Sequence, residues 1–228
     1  MRDFSYIVPH EGAEQRTAEC FRTLLHSYRP TVFLDIGANV GGYSWVALNH
    51  DPAITTWLFE PDETNVRLLT KTIAKSGLKT ARLFPVALSS TSGTVEFLVD
   101  DASGATGSIA ASTSNQEPLH ARYGLKNRRT VKCEALDSFL PELQGHRILM
   151  KIDVEGAEDA VLSGAREFLT KLRPLFILEC FEPEKMRILK ELRYRAYDLS
   201  EGCNWLVVPE ERSAEAETAW LPGPIAAS

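Results

Sequence analysis

Few folds accommodate a strand that runs directly into a glycine-rich turn and leaves it as a helix. Residues 31–35 (TVFLD) form a short apolar run. The turn Gly37-Ala38-Asn39-Val40-Gly41-Gly42 follows, and residues 43–49 continue as a helix. This is the opening of a βαβ unit, and the rhythm repeats. Residues 54–60 (ITTWLFE) read as a second strand ending in an acid and Pro61. Asp62 is placed to cap a helix that stops at Gly77, with Val66, Leu69 and Ile73 on one face. Residues 81–88 read as a third strand in which Pro85 marks a weak point or a bulge. Later, residues 147–153 (RILMKID) and 175–180 (LFILEC) read as buried strands. Between them Ala157, Ala160, Val161, Gly164, Ala165 and Phe168 stripe one helix. A helix over 184–192 and strands over 195–199 and 205–208 complete the pattern. Ahead of it all, residues 13–28 form an amphipathic helix through Ala18, Phe21, Leu24, Leu25 and Tyr28, ended by Pro30. Apolar strands alternating with helices predict an α/β fold with a mostly parallel sheet and helices on both faces. Ligands of such sheets bind outside the carboxyl ends of the strands. Asp35, Glu60, Ala87, Asp153 and Glu179 are expected to converge there.

The 228 residues suit one domain with one sizeable core. The reading is a helical segment over 1–30, the main domain over 31–209 and a loosely ordered tail over 210–228. Residues 93–99 (GTVEFLV) set Val95, Phe97 and Val99 on one face of a hairpin strand, and 130–135 form another short strand. Residues 100–127, rich in Ser, Ala, Thr and Gly, read as an irregular insertion or lid. A formal net charge of -6 makes nucleic acid a poor partner, and Lys126, Arg128, Arg129 and Lys132 read as a solvated basic loop. The N-terminus has no apolar run resembling a signal peptide, and the apolar stretch near residues 174–181 is too short to span a bilayer. The expectation is a cytoplasmic protein with no membrane partner. Cys20, Cys133, Cys180 and Cys203 lie far apart with no CxxC pair, which argues against a disulfide framework and a structural zinc site and predicts reduced, mostly buried thiols.

Two features point to a bound nucleoside. Glycines let the backbone of the 37–42 turn approach a ligand, and the following helix offers free N–H groups. Glu60 ends the next strand at about the 20-residue spacing at which an acid meets a ribose diol. The dinucleotide pattern GxGxxG is absent, because Asn39 stands where its second glycine would be. S-adenosylmethionine, which has no phosphate, suits this turn better than a nicotinamide dinucleotide.

The blocks FLDIGANVGGYS (33–44), FEP (59–61), VALSSTSGTVEF (86–97) and KIDVEGAE (151–158) together resemble the FkbM family of methyltransferases, over roughly residues 32–180. The resemblance implies a Rossmann-like, class I methyltransferase fold with S-adenosylmethionine as donor and hydroxyls of sugars, polyketides or other natural products as acceptors. It implies that Asp35, Gly37, Asn39 and Gly41 line the methionine end, that Glu60, followed by Pro61, holds the ribose, that Ala87 borders the adenine, and that Asp153 faces the methyl-transfer centre.

An alcohol acceptor must lose a proton, and Asp153, then Glu155 and Glu179, are the candidate bases. Asp153 and Glu179 end successive strands. They either hold a hard divalent ion such as magnesium between them or pair with Lys151 or Arg147. Glu155 and Glu158 also suit a helix N-terminus. His120 reaches the acceptor if the insertion closes over the site and is otherwise a solvated loop histidine. Tyr43, Trp45 and Trp57 read as core or pocket wall. Two other functions share this pattern: a NAD-dependent oxidoreductase, and a non-catalytic cofactor-binding module.

Overall fold

A computed structural model describes residues 14–99, 107–109 and 127–222. Helix α1 (Gln15–Ser27) buries Ala18, Phe21, Leu24 and Leu25, the face expected from their spacing. Strand β1 (Val32–Ile36) is buried throughout and leads through the glycine turn into α2 (Gly42–His50). After β2 (Thr55–Phe59), Asp62 caps α3 (Glu63–Ser76) by accepting from the N–H groups of Thr64 and Asn65, and Gly77 ends the helix at φ +63°. These are the stop and start signals read from the sequence.

The third strand departs from expectation. β3 (Ala81–Phe84) stops before Pro85, which has no N–H to give to a ladder. The chain then leaves the sheet. β4 (Ala87–Leu88), β5 (Gly93–Val99), β6 (Gly107–Ile109) and β7 (Asn127–Glu134) make a second sheet in the order β4-β7-β5-β6.

The main sheet resumes with β8 (Ile148–Ile152). The single helix expected after it is two, α4 (Glu158–Ser163) and α5 (Arg166–Leu172). They part at Gly164, where a β-carbon would lie 2.0 Å from the carbonyl oxygen of Ser89. β9 (Leu175–Glu179), α6 (Arg187–Glu191), β10 (Tyr194–Asp198) and β11 (Asn204–Pro209) follow. Among the described residues, seven strands form one sheet in the order β10-β11-β9-β8-β1-β2-β3. In this sheet β11 alone runs against the direction of the other six strands.

Side chains alternate across the strands. Leu34, Ile36, Met150 and Phe176 pack on one face against Val161 and Phe168 of α4 and α5. Phe33, Leu149, Ile177 and Leu206 pack on the other against Phe21 and Leu24 of α1 and Ala47 of α2. Residues 210–220, expected to be loose, instead wind into helical turns that bury Ala216 and Trp220. The Trp220 ring meets Tyr28 edge-on, 6.0 Å between centroids. No described helix is long and apolar enough to cross a membrane.

Candidate functional site

Chain order reverses between β1 and β8: the chain builds outward through β2 and β3, then returns to the far side of β1. A crevice outside the carboxyl ends opens at such a reversal. The glycine turn forms one wall of it. Gly37 (φ +81°) and Ala38 both donate backbone N–H groups to the carbonyl of Phe59 at 3.0 Å. A β-carbon on Gly37 would lie 1.8 Å from the carbonyl oxygen of Asp153, and one on Gly41 (φ +85°) would lie 2.7 Å from the Trp45 indole. That indole folds back and donates Nε1–H to the carbonyl of Val40 at 2.7 Å. The glycines were expected to admit a ligand. The close neighbours that require them are the protein's own Asp153 backbone and Trp45 ring.

Asp35 sits under this turn, 3% exposed. Its Oδ2 accepts from the N–H and Oγ–H of Ser44, at 3.1 and 2.5 Å, which ties the end of β1 to the first turn of α2. Burial pushes its carboxyl up to about 7 against the opposing pull of Ser44 and Lys151.

Glu60 is also buried. Its Oε2 accepts the N–H of Asn39 and its Oε1 the N–H of Asp62, both at 2.7 Å. Asn65 joins the group by donating to Asn39 Oδ1 at 3.3 Å. Burial pushes Glu60 up to about 8 in spite of the backbone donors. A carboxylate oxygen that accepts one bond has room for a second. Pro61 follows, half-buried, on the rim of a hollow of about 270 Å³ that also meets Pro85, Phe97 and Arg129. Ala87 was expected at the carboxyl end of the third strand. Because the chain turns away at Pro85, it packs instead with Phe97, Cys133 and Ala157 in a small core under the second sheet.

The opposite wall is built by β8 and β9. Leu149, Lys151 and Asp153 project to one side, and the pairing of Lys151 with Ile177 brings Glu179 alongside Asp153. Lys151 Nζ lies 3.3 Å from Asp153 Oδ2 and 3.7 Å from Glu179 Oε2. The side chain of Lys151 is 1% exposed, that of Asp153 32%. Tyr43 covers the ammonium with its ring, 5.4 Å away, and donates its hydroxyl to Glu14 Oε2 at 3.0 Å. Glu155 stands next to Asp153, half-buried, at φ +50°. The charge of Asp153 and then burial push Glu179 up; burial, and then Asp153 and Glu158, push Glu155 up. Glu158 turns inward, accepts the N–H of Gly156 at 2.6 Å and faces Lys185 at 3.6 Å.

The structure thus brings Asp153 and Glu179 together as expected, but the cation between them is Lys151. Among the described residues, no group of three or more His, Cys, Asp or Glu is arranged to hold a metal ion. Two carboxylates already engaged by an ammonium do not fit magnesium. Arg147, the other partner considered, lies at the far end of β8 and donates to the carbonyl of Arg29 at 3.0 and 2.9 Å. His120 lies outside the described residues. Sequence reasoning passed over Glu14 and Asn65, which carry no local signal. It weighed Lys151 only as a pairing partner, although a lysine inside the apolar run ILMKI is itself a signal of buried charge.

Comparison with known proteins agrees with this architecture. A sequence model described as the methyltransferase FkbM domain matches residues 35–199. The chain is similar to the 2-O-methyltransferase NoeI of Sinorhizobium fredii (strain NBRC 101917 / NGR234), 30% identical over 151 residues. That match covers 64% of this chain and 61% of the relative, so the chain spans about three fifths of the relative's length. Its fold is similar to the crystal structure of methyltransferase FkbM from Methylobacillus flagellatus, with a TM-score of 0.52 at 13% identity, over 78% of this chain and 43% of that one.

Proposed function

We propose, from the premise that this chain belongs to the methyltransferase FkbM domain family, that it transfers a methyl group from S-adenosylmethionine to a hydroxyl oxygen of a small molecule. The observation that carries the reading is the position of Asp153. Its partly exposed carboxylate stands at the strand-order reversal, in backbone contact with the glycine turn.

The groups at the crevice suit this donor. The rim of the crevice carries the carboxylate of Asp153, 32% exposed, while the side chains of Lys151 and Lys185 are sealed, 1% and 7% exposed. A sulfonium and an ammonium are attracted to such a rim, and a diphosphate is repelled. Asp35, Gly37, Asn39 and Gly41 shape the wall for the methionine end. Glu60, which accepts from Asn39, Asp62 and the Asn65 side chain, has one acceptor position left for a ribose hydroxyl beside Pro61.

When bound, S-adenosylmethionine supplies an electrophilic methyl group on a good, neutral leaving sulfur. The residues of the chain supply alignment and a proton acceptor. Alignment dominates an in-line displacement. Asp153 takes the proton of the acceptor hydroxyl, a contribution of about 10²–10⁴-fold for a positioned base. Burial and the charge of Asp153 favour the neutral forms of Glu155 and Glu179, which leaves Asp153 as the base. The 2-O-methyltransferase name of the Sinorhizobium relative supports oxygen as the acceptor atom.

Calorimetric titration with S-adenosylhomocysteine tests the donor half. One-to-one binding, weakened about tenfold or more in Glu60→Ala by loss of the carboxyl group, is the expected result; no binding by folded wild-type protein would overturn it. Methyl-labelled donor offered with a panel of sugars, polyols, phenols and amines tests the acceptor half. Label recovered as a methyl ether supports the reading, and label on nitrogen or carbon overturns the oxygen assignment.

A further inference from the structure

Lys151 is the single charge in the strand Ile148–Ile152, and its side chain is sealed in the sheet. A buried ammonium is tolerated only where carboxylates surround it at close range. Here they come from two strands: Asp153, two residues on along the same face of β8, and Glu179 from β9. The arrangement is directional. The cation lies below and the Asp153 carboxylate above it, open to the crevice. Nothing that enters the crevice meets the ammonium, so Lys151 acts through the carboxylates it holds.

We propose that Lys151 is a positioning residue of the transfer site: its ammonium ties the Asp153 carboxylate to that of Glu179 and supplies the counter-charge that keeps Asp153 an anion facing the acceptor. The inference rests on the reading of Asp153 as the proton acceptor and deepens it. The other groups around the pair make the counter-charge necessary. Asp35 is the residue paired with Lys151 across β1 and β8. Glu14 and the Tyr43 ring close the cluster from the helical side. Glu155 and Glu158 crowd Asp153 from the segment after β8, and Cys203 backs Glu179 at 3.7 Å. Among the described residues, the ammonium of Lys185 is engaged by Glu182, Glu158 and the Gly156 carbonyl. Without Lys151, the Asp153 carboxylate has no opposing charge of its own, and a second proton settles on the pair.

The test follows the Asp153 carboxyl by ¹³C NMR over pH, with its resonance assigned by its loss in Asp153→Asn. Lys151→Met is expected to raise the Asp153 protonation midpoint by about one pH unit or more, a tenfold change in proton affinity, and Lys151→Arg to move it back. Glu179→Gln keeps the ammonium and exchanges one neutral group for another, so there the midpoint holds. An unmoved midpoint in folded Lys151→Met overturns the proposal. If that variant does not fold, an unmoved midpoint in folded Lys151→Gln overturns it instead. Titrating the same proteins with S-adenosylhomocysteine separates the two readings. A wild type that does not bind contradicts methyl transfer and leaves the NMR result to judge Lys151. Binding together with an unmoved Asp153 contradicts the role of Lys151 alone.

Discussion

The carbonyl oxygen of Asp153 fills the space beside Gly37, 1.8 Å from where a β-carbon would stand. The two walls of the crevice therefore touch through backbone atoms, one from the turn after β1 and one from the end of β8. Backbone cannot swing aside as a flexible side chain can. Gly37→Ala is expected to destabilise the fold by about 2–5 kcal/mol, combining overpacking with the cost of left-handed backbone. Gly77→Ala is the control: φ is +63° there but nothing lies within 4 Å, so about 1–2 kcal/mol is expected. Urea denaturation of both variants measures the difference. Equal losses would show that the contact with Asp153 contributes nothing.

Ser44 supplies two of the hydrogen bonds that hold Asp35 in the core. Ser44→Ala removes the hydroxyl and keeps the backbone N–H. The expected loss is about 1.5–3 kcal/mol, the range for a bond to a charged group. The loss should be larger at pH 8.5 than at pH 5, because the ionised form of Asp35 depends on that bond most. Equal losses at the two pH values would contradict the burial of an ionisable Asp35.

Stability should fall as pH rises from about 5 to 8. Asp35 is raised from 3.8 to about 7 and Glu60 from 4.5 to about 8. In that interval the folded chain keeps protons that the unfolded chain has released. The stability from these groups is complete below their unfolded values and lost as pH passes through the folded ones, at up to about 1.4 kcal/mol per pH unit for each proton. Scanning calorimetry in overlapping buffers reads the trend as a falling Tm, and Asp35→Asn should flatten it. A Tm that climbs over this range would mean that these carboxyls are already ionised in the native state.

Glu201, in the turn between β10 and β11, caps α1 from across the fold. Its Oε2 accepts the N–H and the hydroxyl of Thr17 at 3.0 and 2.6 Å, and its Oε1 the N–H of Arg16 at 2.5 Å. Glu201→Ala is expected to cost about 1–2 kcal/mol, as for loss of an N-cap. Hydrogen exchange should quicken in the first turn of α1 while the central strands keep their protection. Unchanged exchange there would show that the cap is dispensable.

Much of the architecture was legible along the chain. Apolar runs bounded by Asp62, Gly77 and the glycine turn place strands and helices within a residue or two of where they stand. The α/β class follows from their alternation. The meeting of Asp153 and Glu179 was legible too, because each ends a parallel strand. These are local facts: side-chain period, capping and φ preference act between near neighbours in sequence. Other outcomes depended on partners far along the chain. Pro85 was seen as a weak point, but only the pairing of Ala87 with Cys133 shows that the chain changes sheets there. Gly164 splits a helix because the Ser89 carbonyl passes it. The tail orders because Trp220 finds Tyr28. Whether a metal ion or a lysine stands between the two acids was left open by composition and spacing. The register of β8 against β9 decided it by setting the Lys151 ammonium within 4 Å of both carboxylates. Electrostatic partnership depends on distance in space, and that distance exists only once the strands are packed.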